Sequence, residues 1–421
     1  MDKFKHKNDQ INDLSHKSYS AHTGFQRLRA CAVGRSYPPQ FYDWIKNVRL
    51  RKLFERIAEE TEEDFLNLIK VLQNFGVTVV RTNAPNSLNE LGIKTVDETK
   101  RIPGPISMVP RDELCMIGDK LYVFNLKDRL LAKRTIGLLS DYDIARISGG
   151  TIDHTDIAAN ISDDVKSKIA AIKGLPGFDS VTDYQRKSLD LVKAFQPIID
   201  HVRDRGNEII DEKIVQELPL LFPNGIIRLG QDLLFGVDEL LIRPNTLEPL
   251  VKHFGEYHVK FVKSHGHVDG CLCVAKPGLL LSIRDIEDQQ KSFPDWEICY
   301  LENQSWIKVD NWDKIKTKNA GKWWIPGHEQ DDELIDFVET WLTDWVGYVE
   351  ESVFDVNALV IDEGNILVTS YNKQAFSAFE RHGITPHIVP FRHRFFWDGG
   401  LHCITLDLDR EGDRLDYSLQ R

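Results

Sequence analysis

Apolar residues in this chain cluster in short runs that come in pairs, each pair joined by a few residues rich in Gly and Asp. The pairs span residues 114–124 around Gly118-Asp119, 226–237 around Gly230-Gln231-Asp232, 271–283 around Lys276-Pro277-Gly278, and 358–370 around Asp362-Glu363-Gly364. Turn residues between β-rich runs predict hairpins, because they tolerate the backbone angles of a tight reversal. After most hairpins a helix-like stretch leads to another short strand, clearest at 259–262 and 387–389. Ahead of the first pair, a strand is predicted over Leu28–Val33, ended by Gly34. Two helical stretches follow; the second, over about 60–75, stops at Gly76 and leads into a strand at 77–80. A last strand is expected over 404–408. The unit is hairpin, helix, strand, repeated at irregular intervals. Repeats of this kind suit a propeller-like ring, and the same pattern also suits an ordinary α+β sheet protein with several hairpins. Residues 1–24 are polar without an apolar period, which predicts a disordered tail ahead of a single domain over 25–421.

Composition narrows the class. The 421 residues are 42% hydrophobic and 28% charged, an ordinary globular balance, with a formal charge of -12. An acidic chain without clustered Lys and Arg argues against a nucleic-acid surface. No apolar run reaches the roughly 18 residues a bilayer span needs. The N-terminus lacks the apolar core of a secretory signal, and Asp2, Asp9 and Asp13 disfavour a transit peptide. Six sparse cysteines, mostly inside apolar runs, predict free thiols and a cytoplasmic protein.

Candidate chemistry gathers just ahead of the paired runs. Pro110-Arg111-Asp112 precedes the first and Pro223-Asn224-Gly225 the second. His265-Gly266-His267-Val268-Asp269-Gly270 precedes the third and Phe354-Asp355-Val356-Asn357 the fourth. Gly399-Gly400-Leu401-His402-Cys403 precedes the last strand. If the hairpins stand around one axis, these entrances bring a thiol, an imidazole, carboxylates and two amides into one pocket. Carboxylates such as Asp112 and Asp269 suit a planar guanidinium, which donates paired hydrogen bonds in a fork. A bound cation also favours the thiolate, the competent form of Cys403, and His267 is placed to shuttle protons. Each residue has an ordinary structural reading too: a packed Cys, a hydrogen-bonded His, turn Asp and Asn residues. His265, His267, Cys271 and Cys273 do not match a common zinc spacing.

Taken in order, these segments resemble the glycine (arginine:glycine) amidinotransferase family, over about residues 25–412. The match runs through Ala32-Val33-Gly34-Arg35, Gly76-Val77-Thr78-Val79, Pro110-Arg111-Asp112 and Ile227-Arg228-Leu229-Gly230-Gln231-Asp232. It continues through His267-Val268-Asp269, Pro277-Gly278, Leu281-Ser282, Asn357-Ala358-Leu359-Val360-Ile361-Asp362-Glu363 and Gly383-Ile384-Thr385 to Gly399-Gly400-Leu401-His402-Cys403. The resemblance implies a pentein-type fold, a pseudo-fivefold five-bladed α/β propeller of ββαβ modules shared with arginine deiminases. It implies ping-pong transfer of the amidino group of L-arginine to an acceptor amine, glycine in the name-giving members, with release of ornithine. No metal or organic cofactor is implied, and the family precedent is a homodimer. Cys403 takes the place of the nucleophile and His267 that of the acid/base, while Asp112 and Asp269 grip the guanidinium. Three positions depart from the pattern. Asn224 stands where an Asp usually orients the histidine, which leaves Asn224 to accept a hydrogen bond from the imidazole. Asp355 stands where Ser is common, near the substrate's amino-acid end, alongside Asn357. Arg284 lies close to the usual carboxylate-binding Arg but out of register. A guanidine hydrolase of the same fold, and a catalytically weak guanidine-binding protein, are the alternatives.

Overall fold

The computed structural model describes residues 18–91, 93, 102, 104–124, 193–210, 223–237, 244–264, 267–283, 289–302, 327–328, 331–342, 355–397 and 399–417. Among them, fifteen strands form five three-stranded mixed sheets. Four sheets share one plan, in which the second strand of an antiparallel hairpin pairs in parallel with a third strand. They are β3 (Leu114–Ile117), β4 (Lys120–Val123) and β5 (Glu208–Ile210), then β6 (Ile226–Leu229), β7 (Asp232–Val237) and β8 (His258–Lys263). The other two are β9 (Leu272–Lys276), β10 (Leu279–Ile283) and β11 (Glu297–Leu301), then β12 (Leu359–Asp362), β13 (Asn365–Val368) and β14 (Thr385–Ile388). The fifth sheet joins the two ends of the chain. There β1 (Leu28–Val33) runs parallel to β2 (Thr78–Arg81) and antiparallel to β15 (Thr405–Arg410), so β15 takes the place of a hairpin's first strand.

The four predicted hairpins are all present, each closing through two residues between paired strand ends. Gly118 and Gly230 turn with φ of 59° and 66°, the left-handed region that costs glycine least. In the β12–β13 turn Asp362 does the work instead, its Oδ1 accepting from the Gly364 backbone N–H at 2.8 Å and from Asn365 Nδ2 at 2.9 Å. A parallel strand pair needs a crossover, and helices lie on these crossovers. They are α1 (Val48–Asn74) before β2, α2 (Gln196–Asp204) before β5, α3 (Pro244–His253) before β8 and α4 (Gln289–Ser292) before β11. Next come α5 (Asp332–Trp341), which sets Phe337 against Phe54 of α1, and α6 (Lys373–Arg381) before β14.

Two helical stretches do follow β1, a 3-10 segment over Pro39–Trp44 and helix α1, but α1 corrects one bound: its 27 residues begin at Val48 and not near 60. It is capped by Asn47, whose side chain accepts from the backbone N–H of Arg49 and Leu50, a cap worth about 1 kcal/mol. Its buried face runs Leu50, Phe54, Ile57, Thr61, Asp64, Phe65, Leu68, Leu72. The polar pair Thr61 and Asp64 interrupts the apolar period, and its partners are remote: Trp397 Nε1 donates to Thr61 at 2.9 Å and Arg392 Nε to Asp64 at 2.8 Å. The face packs with Leu359, Leu367, Phe391 and Phe396 into the largest core, where each large apolar side chain contributes roughly 1.5–3 kcal/mol.

A second correction concerns the tail. Packed structure begins at least six residues before the predicted boundary, since Tyr19, Ala21 and Thr23 are buried. Ala21 exchanges backbone hydrogen bonds with Gly118, and Gly230 N–H donates to the His22 carbonyl. Backbone pairing of this kind needs no apolar side-chain period, so hydropathy does not reveal it. Among the described residues no helix is long and apolar enough to cross a membrane.

Candidate active site

The first strand of each sheet is entered through a tight turn, and the chemistry sits in those turns. Pro110–Asp112, Pro223–Gly225 and Val268–Gly270 are single turns of 3-10 helix ahead of β3, β6 and β9. Residues 355–358 lead into β12 and residues 399–404 into β15. Side-chain hydrogen bonds join the five turns in a circuit. Asn224 Nδ2 donates to Asp112 Oδ1 at 3.1 Å and lies 3.0 Å from His267 Nε2. Asn357 Nδ2 donates to the Asp269 carbonyl at 3.0 Å and to Cys403 Sγ at 2.9 Å. Arg111 Nε donates to the carbonyls of His402 and Thr405, each at 3.1 Å, which returns the circuit to the turn of Asp112.

The turn bearing Cys403 is held from one side by Asn357. Its Oδ1 accepts from the backbone N–H of His402 at 3.0 Å and of Cys403 at 2.9 Å. The close approach explains Gly400, where a Cβ would fall 2.7 Å from Asn357 Oδ1 and 2.9 Å from its carbonyl oxygen. On the other side stands Asp269. Its Oδ2 accepts from Cys403 Sγ at 3.3 Å and from His402 Nδ1 at 2.9 Å. Its Oδ1 is buried and has no hydrogen-bond partner among the described residues. A buried, unpaired carboxylate oxygen is costly, and one beside a half-buried thiol calls for a donor from outside the chain.

Electrostatics sharpen that requirement. Burial raises the Cys403 thiol well above its ordinary value, and the charges of Asp269 and Asp112 raise it further. The surrounding protein groups therefore keep the sulfur protonated near neutral pH. Burial alone would also raise the Asp269 carboxyl. The hydrogen bond and charge of His402, with His267 and Arg111, outweigh it and hold Asp269 well below the usual range. Burial and the Arg111 charge lower His402, so near neutral pH its ring is neutral and donates through Nδ1, and it carries its charge only in the acid range where Asp269 would take up a proton. A cation placed among these carboxylates favours the thiolate and thus reverses the balance at Cys403.

Behind the turns lies a buried ionic cluster that the hydropathy pattern does not announce. Asp407 on β15 is 1% exposed and pairs with Arg111 at 2.7 Å, Arg410 at 2.8 Å and Arg228. Three guanidiniums hold its carboxyl well below the ordinary range despite burial. Arg228 reaches from β6 to the Met116 carbonyl at 3.1 Å, and Arg410 reaches the Val360 carbonyl at 2.9 Å. The cluster thereby ties the first strands of several sheets to the strand that follows Cys403. Arg111 belongs to both assemblies.

Of the residues singled out from sequence, Cys403, Asp269, Asp112, His267, Asn224 and Asn357 come together in the circuit. Asn224 has the opposite polarity to the one expected. Its amide nitrogen, not its oxygen, faces the imidazole, because the same nitrogen must serve Asp112. Asp355 is turned to the loop after β13, where it accepts from Ser370 Oγ at 3.2 Å and Asn372 Nδ2 at 2.8 Å. Arg284 and His265 lie outside the described residues. His402 and Arg111 gain roles not read from their types; the signal was adjacency, since each precedes a site residue by one position. Among the described residues, no group of three or more His, Cys, Asp and Glu side chains is placed to share a metal ion.

No protein-family model matches the chain, and no curated protein matches it in sequence. Solved structures do match. SxtG, an amidinotransferase from Microseira wollei in the saxitoxin biosynthetic pathway, aligns with a TM-score of 0.56 at 13% identity, covering 95% of this chain and 99% of that one. The inosamine-phosphate amidinotransferase StrB1 from Streptomyces griseus aligns with a TM-score of 0.54 at 16% identity, again covering 95% and 99%. At such identities the likeness is one of fold alone.

Proposed function

We propose that the five sheets form a pentein-type propeller and that the chain is a guanidine-modifying enzyme, an amidinotransferase with L-arginine as donor. The observation that carries the reading is the orphaned Oδ1 of buried Asp269, whose other oxygen already receives the Cys403 thiol. A guanidinium supplies what that oxygen lacks, a rigid N–H donor with a positive charge. Asp112 offers a second carboxylate within electrostatic reach of the same sulfur.

The chemistry follows from this placement. Guanidinium binding favours the Cys403 thiolate, whose proton passes to His267. The sulfur attacks the guanidino carbon and forms a C–S bond. The C–N bond to ornithine breaks as His267 returns its proton to the departing nitrogen, leaving an amidino-thioether. An acceptor amine then attacks the same carbon, gives a proton to His267 and displaces the thiolate. Asn357 holds the sulfur and the backbone of its turn throughout, which is the positioning such a sequence depends on.

Incubation with arginine and a panel of amines, glycine included, tests the reading. Ornithine that exceeds one equivalent per enzyme only when an amine is present supports transfer. Citrulline formed without an amine would make the chain a hydrolase. Arginine binding with no turnover would leave a guanidine-binding protein.

A further inference from the structure

The amide of Asn224 sits between an anion and an imidazole, and its hydrogens decide which form that imidazole takes. Asp112 Oδ1, 3.1 Å from Asn224 Nδ2, is an acceptor, so the amide must present its nitrogen there. The same nitrogen lies 3.0 Å from His267 Nε2. An amide nitrogen has two hydrogens and no usable lone pair. With one hydrogen given to Asp112, the other points at Nε2, which must then be unprotonated. The ring proton is left on Nδ1, 3.9 Å from Asp112 Oδ1.

We propose that Asn224 is a positioning residue that holds His267 as the neutral Nδ1–H tautomer until substrate arrives. The inference rests on the reading of His267 as proton carrier, and it adds a condition to that role. Among the described residues, the charged groups near the ring include Asp112, from the turn before β3, and Asp269 on the ring's own turn, with Arg111 and His402 beyond Asp269. The two carboxylates favour an imidazolium; the Asn224 donor opposes it. Proton uptake at Nε2 places N–H against N–H unless the amide turns over. Turning it sets Asn224 Oδ1 against Asp112 Oδ1, acceptor against acceptor. That clash disappears when a donor on the substrate occupies Asp112. Protonation of His267 is thereby coupled to occupation of the carboxylate, and the ring reaches its charged form only with substrate in place. A carboxylate at position 224 removes the coupling, since it accepts from an imidazolium without turning.

Nitrogen NMR of the full chain, with ¹⁵N-labelled histidine and the His267 signal assigned by its loss in His267→Gln, reads the tautomer directly. The expected wild-type spectrum shows a bare Nε2 and a protonated Nδ1. The Asn224→Asp variant is expected to shift the midpoint of ring protonation upward, so that the ring is charged at a pH where wild type is neutral. A wild-type ring protonated on Nε2 overturns the proposal with no variant needed. So does identical titration in wild type and Asn224→Asp. Neither result depends on turnover, so failure of the proposed chemistry and failure of this inference are separately visible.

Discussion

Replacing Asp269 by Asn should move two properties of Cys403 in opposite directions. The carboxylate stands 3.3 Å from Sγ, and its charge and hydrogen bond both raise the thiol. An amide of the same shape removes that charge, so the sulfur ionises more readily and alkylation by iodoacetamide near neutral pH should speed up. Arginine turnover should fall. The lost contact is a charge-assisted hydrogen bond from a guanidinium to a buried carboxylate, worth about 1.5–3 kcal/mol for the bond alone. Leaving the cation without its buried partner brings the cost to roughly 3–5 kcal/mol. At 1.36 kcal/mol per factor of ten, kcat/KM should drop by about two to four orders of magnitude. Arginine should slow alkylation of the wild-type thiol by covering it, and should have little effect on the variant. Both rates come from one preparation, alkylation by intact mass and turnover by ornithine release. If alkylation and turnover fall together, Asp269 supports the local structure and does not tune the thiol or bind substrate.

Other expectations follow from the same geometry. Gly400→Ala places a methyl 2.7 Å from Asn357 Oδ1 and beside its backbone, so the amide that positions Cys403 must shift. A displacement near 1 Å should cost about 100-fold in turnover, while the overpacking lowers stability by only about 1–3 kcal/mol in urea unfolding. Asp407→Asn leaves Arg111, Arg228 and Arg410 buried without their common anion and should destabilise the fold by roughly 3–5 kcal/mol or more, measured by calorimetry. The pH dependence has a definite sign. Asp407 and Asp269 are both depressed in the folded state, so their stabilisation is full above the ordinary unfolded value of about 3.9 and is lost as pH falls toward the folded ones. Wild type should therefore lose stability steeply in acid below about pH 4, and Asp407→Asn should show a shallower acid limb; equal slopes would count against the buried pairing.

Much of the fold was readable because its signals are local. Each hairpin is announced by its turn residues, and the strands lie within a few residues of their expected bounds. The start of helix α1 was expected near residue 60 and lies at Val48; on its buried face Thr61 and Asp64 interrupt the apolar period, and their partners, Trp397 and Arg392, lie more than 300 positions away. The packing of Tyr19, Ala21 and Thr23 escaped for a related reason, since backbone bridges to Gly118 and Gly230 carry no side-chain pattern. The site divides along the same line. Residue types and their place before each strand made Cys403, Asp269, Asp112 and Asn357 candidates, and the hydrogen-bonded circuit brings the four together. The polarity of Asn224 depends on Asp112 in another turn, and the Asp407 cluster on Arg111 and Arg228 from two other parts of the chain, joined by Arg410 of the same strand. Pairings across such separations are set by the tertiary fold, which no window of sequence contains.

The central claim is that Cys403 carries the amidino group. Intact-protein and peptide mass spectrometry after mixing with arginine alone tests it most directly. The account predicts one amidino adduct, mapped to Cys403, formed with release of ornithine and discharged when an acceptor amine is added. Turnover of arginine with no adduct on Cys403, or turnover that survives Cys403→Ala, would contradict it.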